Sequence, residues 1–215
     1  MLKITAFEKS YGTRKILEIP SLHLPTHIYW VKGSNGAGKS TLLKSLAGLL
    51  SFKGEVILEE RYNLRKKPNA YRKLISFSEA EPHYPPFLTG LDLIKLFAYT
   101  KGTSTDSATP YLTDLGMTDY LPEVISTYSS GMLKKLSIVL AFLGSPKMIL
   151  QDEPMNTLDE ASKHIIYQWI EEKYSKSQVT FLISSHQPLV FTNQPPPEIL
   201  LVAQQTAQLV DYALH

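Results

Sequence analysis

A chain of 215 residues, 43% hydrophobic and 20% charged, is long enough to bury one good core with a lobe attached. Its net charge of +2 creates no field that would draw nucleic acid or anionic lipid as the main partner. The absence of cysteine excludes disulfides, thiolate zinc sites and thiol nucleophiles together, and fits a reducing cytosol.

In chain order, the opening MLKITAFEKSYG lacks the apolar core of a signal peptide. Alternating apolar residues at Leu2, Ile4 and Ala6, and then from Ile16 to Leu24, predict early strands. Ile28 to Val31 is a short β-rich run leading to Gly33. Gly38 to Leu50 reads as a helix, with Leu42, Leu43, Leu46, Ala47 and Leu50 at helical spacing. Gly54 to Leu58 is a further strand, followed by a basic polar stretch from Arg61 to Lys73. From Pro82 to about Gly144 the pattern is helical, and Met148 to Gln151 is a short buried strand. Thr157 to Lys173 reads as a helix, with Thr157 and Glu160 as a capping box. Val179 to Ile183 and Ile199 to Val202 complete the strands. This alternation predicts an α/β fold whose sheet is mostly parallel in its second half, with the helical stretch inserted. The longest strongly apolar run, Ile138 to Leu143, is far short of the roughly 20 residues that cross a bilayer. The chain is therefore expected to be soluble, and any membrane spanning would be done by another polypeptide.

Gly33-Ser34-Asn35-Gly36-Ala37-Gly38-Lys39-Ser40, continuing to Thr41, satisfies G-x-x-x-x-G-K-[ST] in full. A glycine-rich turn lets consecutive backbone N–H groups converge on phosphate, and the following helix adds its positive end. Lys39 is placed to reach the β- and γ-phosphates of ATP, and the Ser40 hydroxyl to ligate Mg²⁺. Asp152 and Glu153 end the apolar strand from Met148, where Asp152 can hold the metal through water. Glu153 stands where a general base could take a proton from the attacking water.

Further residues resemble one family. Tyr128-Ser129-Ser130-Gly131-Met132 is similar to the LSGGQ signature of the ATP-binding-cassette (ABC) transporter nucleotide-binding subunit, and the likeness runs from about Tyr11 to His186. It departs at Ser130 and Met132, as in the branch serving ABC-2-type exporters. The helix after it is expected to bury Leu133, Leu136, Leu140 and Leu143 and to keep its lysines elsewhere. The resemblance implies a P-loop NTPase fold of ABC type: a mixed sheet core, a small antiparallel β lobe and an inserted α-helical lobe. Residues 1–82 and 146–215 would form the nucleotide-binding core and 83–145 the helical signature lobe.

The resemblance also implies a head-to-tail dimer in which Ser129 and Gly131 touch the γ-phosphate held by Lys39 of a second copy. Tyr11 would stack on adenine, Asp159 would sit in the loop passing between copies, and His186 would sense the γ-phosphate. Where the family usually has a glutamine, the alignment places Ala80, flanked by Glu79 and Glu81. The leading expectation is a Mg²⁺-dependent ATPase that binds ATP and ADP on the cytoplasmic face of the cell membrane. It would drive export through a separate transmembrane permease, with His83 to Phe87 as a candidate docking loop. The alternatives are a soluble ABC ATPase acting on nucleic acid or ribosomes, supported only by the basic stretch, and a weakly hydrolysing nucleotide-gated regulatory module.

Overall fold

The computed structural model describes residues 1–210. Its first sheet is antiparallel and joins β1 (Leu2–Tyr11), β2 (Arg14–Leu24), β4 (Lys53–Leu58) and β5 (Tyr62–Asn63) in the order β2-β1-β4-β5. The second contains β3 (Ile28–Lys32), β6 (Ile75–Ser78), β7 (Met148–Asp152), β8 (Thr180–Ser184), β9 (Glu198–Ala203) and β10 (Thr206–Val210), in the order β10-β9-β3-β8-β7-β6. All its pairings are parallel except that of β10 with β9.

Strands β7 and β8 are buried at every position, as apolar runs covered on both faces must be. Met148 and Leu150 point into a core shared with the antiparallel sheet and α1 (Lys39–Leu46), where they join Phe7, Leu17 and Leu43. Ile149, between them, points the other way, toward a core built with α5 (Ser130–Phe142) and α6 (Glu160–Ser177). This period-two division seats the β7 strand end between two packed layers. The chain between β6 and β7 supplies α3 (Gly90–Lys101), α4 (Thr109–Asp114) and α5.

Several sequence expectations change. The helix expected to reach Leu50 ends at Leu46, with Gly48 at φ 75° shortly after it. The basic stretch read as polar loop contains β5 and α2 (Pro68–Leu74), whose Tyr71 hydroxyl donates to the Leu46 carbonyl at 2.9 Å. Strands β6 and β10 were not anticipated. Helix α6 starts at Glu160, and its cap is Asp159, which accepts from the Ser162 amide at 2.7 Å. Thr157 cannot fill that role because it lies earlier in the chain with φ 66°, in left-handed backbone. Finally, α5 is buried almost all round from Leu136 onward, and Lys134 is 1% exposed, inside the protein rather than on a solvent face.

Candidate functional site

Between the end of β3 and the start of α1 the chain wraps the rim of a cavity of about 490 Å³. Asn35, Gly36, Lys39 and Ser40 line one side, and Asp152, Glu153 and His186 the other. Gly33 and Gly38 are required by their surroundings. A Cβ on Gly33 would stand 2.3 Å from the Val202 carbonyl oxygen, and one on Gly38, at φ 108°, would press on Leu17 and Ile16. Gly36 turns at φ 77° with open space beyond it. The Ala37 amide is spent on the Ser34 carbonyl at 3.2 Å, whereas the first amides of α1 have no partner within the helix and face an anion naturally. Lys39 is 8% exposed, and its ammonium donates to the Gly33 carbonyl at 2.8 Å and the Ser34 carbonyl at 3.2 Å, which keeps it at the loop's rim.

The opposite wall depends on a cross-strand contact. Asp152 and Ser184 are partners in the β7–β8 register. The Ser184 hydroxyl donates to Asp152 Oδ1 at 2.6 Å and accepts from the Glu153 amide at 2.9 Å, so one side chain fixes both acidic residues. Glu153 adopts φ 45°, a strained conformation for a non-glycine residue, directly after the last residue of β7. Glu153 Oε1 is buried without a hydrogen bond and lies 3.4 Å from His186 Nε2. The segment before His186 is held by Trp30, whose indole N–H donates to the Ser185 carbonyl at 2.9 Å.

The other expected site residues lie elsewhere. Tyr11 does not line the cavity; its ring is half exposed, with Lys9 Nζ 4.7 Å from the centroid, while Arg14 and Ile16 do line it. Ser129 caps α5 by accepting from the Met132 amide at 3.2 Å, and Gly131 packs where a Cβ would meet the Thr157 carbonyl at 3.2 Å. Asp159 pairs with Lys135 of α5 at 3.3 Å. The Ser162 amide and hydroxyl hold its carboxyl down at about 2, with Lys135 adding to the effect. Neither Glu79 nor Glu81 lines the phosphate cavity; Glu79 instead pairs with Lys44 of α1 at 3.4 Å.

Sequence reasoning missed Ser184 and Lys134. Burial pushes the Lys134 ammonium down to about 8, an effect partly offset by Asp152, Glu153, Glu81 and Glu79. Neither residue has a local signal, because each acts on a segment far away in sequence.

A second cavity, of about 330 Å³, opens between the sheet and the inserted helices. Leu49, Phe77, Tyr84 and Phe97 are among its lining residues. Of these Leu49 is 58% exposed, and in the chain after Tyr84 the apolar residues Phe87, Leu96 and Tyr99 are 50–84% exposed.

The model of the ABC transporter family matches residues 21–156. A lantibiotic transport ATP-binding protein, SrtF, from Streptococcus pyogenes is 35% identical over 188 residues, covering 86% of this chain and 80% of its own. A cytochrome c biogenesis ATP-binding export protein, CcmA, from Legionella pneumophila is 31% identical over 191 residues, covering 88% and 94%. Among solved structures, an ATP-binding subunit of an ABC transporter superposes with a TM-score of 0.85 at 25% identity, over 96% of this chain and 88% of that one. A dimeric ATP-binding cassette in a post-hydrolysis state with ADP and phosphate shares the fold, with a TM-score of 0.80 at 18% identity over 97% of each chain. With the phosphate loop and the acidic strand end facing each other across one cavity, these likenesses show that the chain belongs to the ABC transporter family, as an ATP-binding and ATP-hydrolysing subunit.

Proposed function

We propose that this chain hydrolyses Mg-ATP at the cavity between Lys39 and Glu153 and couples that reaction to export through a separate membrane permease. The supporting observation is the convergence on one cavity of a phosphate loop, a buried aspartate, and a glutamate whose inner oxygen has no hydrogen bond. Loop amides and Lys39 hold the β- and γ-phosphates. Glu153 takes a proton as the water oxygen bonds to the γ-phosphorus, and the bond to the β–γ bridging oxygen breaks. His186, 3.4 Å from Glu153, holds the γ-phosphate side of the reacting group.

The Ser40 hydroxyl and the Asp152 carboxylate fit a hard divalent cation, since both are oxygen donors facing the same cavity. When bound, Mg²⁺ neutralises the charge building on the β- and γ-oxygens.

Tyr11 offers the open face of its ring to adenine from outside the phosphate cavity. Ser129 and Gly131, at the exposed start of α5, complete the phosphate site of a second copy, and Asp159 lies in the loop between copies. In the domain reading, residues 1–82 and 146–215 bind nucleotide and 83–145 carry the signature. ATP would close the dimer and hydrolysis reopen it, biasing two states of the permease.

The permease docks at the 330 Å³ groove, which His83 and Tyr84 of the proline-stiffened loop line, and at Phe87, which follows in that loop and is 75% exposed. Among the described residues no helix is long and apolar enough to cross a membrane; in this reading the permease holds the chain at the inner face of the cell membrane. The nucleic-acid reading gains no support from the basic stretch. There Lys66 pairs with Glu55, while Arg65 and Arg72 donate to the Gly54 and Gly48 carbonyls.

Turnover of Glu153→Gln tests the chemistry. Loss of a general base lowers the rate about 10²–10⁴-fold, and turnover equal to wild type would remove Glu153 from that role. Co-purification from detergent-solubilised membranes tests the coupling. Wild type should carry one multi-spanning protein in roughly equal amount, and Phe87→Asp should lose it. Recovery only from the soluble fraction would end the transporter reading while leaving the ATPase intact.

A further inference from the structure

Lys134 is the least expected side chain in the protein. It sits one turn into α5, and its ammonium donates to the Glu79 and Ala80 carbonyls at 2.8 Å each and to the Asp152 carbonyl at 3.2 Å. These bonds use all three protons of an ammonium. No carboxylate lies within ion-pair distance among its hydrogen-bond partners; every acceptor is backbone.

Burying an ammonium is costly, and here the cost is offset only by its bonds to carbonyls of separate segments. The placement therefore calls for a role other than packing. The three carbonyls belong to segments that the proposed reaction must keep in step. Asp152 immediately precedes Glu153. Ala80 stands where the family's usual glutamine would extend a side chain, and the neighbouring Glu79 reaches Lys44 on the phosphate-loop helix at 3.4 Å. Lys134 itself follows Ser129 to Gly131 on α5. One ammonium thus ties the signature helix, the interlobe segment and the catalytic strand end at a single point.

We infer that Lys134 is a positioning residue for hydrolysis: its clamp on the Glu79, Ala80 and Asp152 carbonyls sets Glu153 relative to α5 and does through the backbone what the alanine side chain at position 80 cannot. This rests on the reading of Glu153 as the base. The clamp acts on the arrangement of the reacting groups rather than on the capture of ATP, because Lys134 does not line the phosphate cavity. It also restrains the interlobe segment, which borders the groove proposed for the permease.

The test compares the full-length wild type with Lys134→Met, which keeps length and removes all donors, and Lys134→Gln, which restores amide donors without charge. Turnover and KM with Mg-ATP, binding of ATP, thermal unfolding, and hydrogen exchange at residues 79–82 are measured on each. The methionine variant should lose about tenfold or more in kcat, the loss expected when a reacting group is misplaced. Its KM and ATP affinity should stay within about threefold, its unfolding midpoint should fall by no more than the stranding of the three carbonyls accounts for, and exchange at 79–82 should be faster. The glutamine variant should recover part of the rate. A folded methionine variant with wild-type kcat overturns the inference, as does an equal loss in ATP binding. If neither variant folds, Lys134 is a stability residue and the inference fails as well. Glu153→Gln runs beside them. If it turns over like wild type, the underlying catalytic reading fails; if it is inactive while Lys134→Met is not, only the clamp is lost.

Discussion

The phosphate loop and the seam between α5 and residues 79–80 are built by opposite means. The loop is contiguous: Gly33 to Thr41 places its donors by backbone conformation, with Gly33 and Gly38 required by crowding against Val202, Leu17 and Ile16. The seam depends on one side chain reaching 55 and 54 positions back along the chain and 18 forward. A contiguous anion site draws its donors from neighbouring backbone amides. A clamp made of long-range bonds makes the position of one segment depend on the other.

Ser184 lets this comparison be broken, since it lies buried behind the phosphate cavity's acidic wall and works by a long-range contact, 32 positions from Asp152. Ser184→Ala leaves Asp152 Oδ1 without its hydroxyl and the Glu153 amide without an acceptor. Stranding such groups costs about 1–3 kcal/mol, so a measurable fall in unfolding midpoint is expected. Turnover should fall about tenfold as Glu153 loses its anchor, with ATP affinity changing less than about threefold because the loop is untouched. If ATP binding falls as much as turnover, loop and acidic wall are one unit and the division is wrong. If nothing changes, the strained backbone at Glu153 is held by β7 and its packing alone.

The same division explains what could be read from the sequence. The strands and helices that flank the loop, and the acidic pair after Met148 to Gln151, were legible because periodicity and motif lie within a few residues. The four-residue strand Ile75–Ser78 was not, for it is too short to display a period and is a strand only because Met148 to Gln151 lies in register beside it. Helix α2 was hidden by its charges, although Pro68 stands near its start as a helix-opening residue should. Lys134 was assigned outward because charge on a helix usually marks the solvent face. Its carbonyl partners come from elsewhere in the chain and leave no mark near position 134. The misplaced cap of α6 has a different origin. Thr157 and Asp159 are both good capping residues, and the left-handed backbone at Thr157 moves the helix start onto Asp159.

That cap sharpens the comparison at its weakest point, because Asp159 joins the start of α6 to Lys135 on α5 through an exposed pair. In the folded chain the Ser162 amide and hydroxyl, with Lys135, keep the carboxyl ionised down to about 2. The unfolded chain takes up the proton at an ordinary carboxylate pKa near 4. As pH falls from about 4 to about 2, the unfolded state therefore binds more protons than the folded one, and this stabilisation is lost. Above that window it is fully present. Asp159→Asn keeps a side-chain oxygen for the Ser162 amide and removes the charge, so at neutral pH the unfolding midpoint should drop only about 1–2 °C, as befits an exposed pair. Between pH 4 and 2 the variant's midpoint should decline less steeply than that of wild type. Parallel curves across that range would mean that the Asp159 charge contributes nothing to joining α6 and α5. The contact with Lys135 would then be incidental, and Asp159 would be left to the interface between two copies.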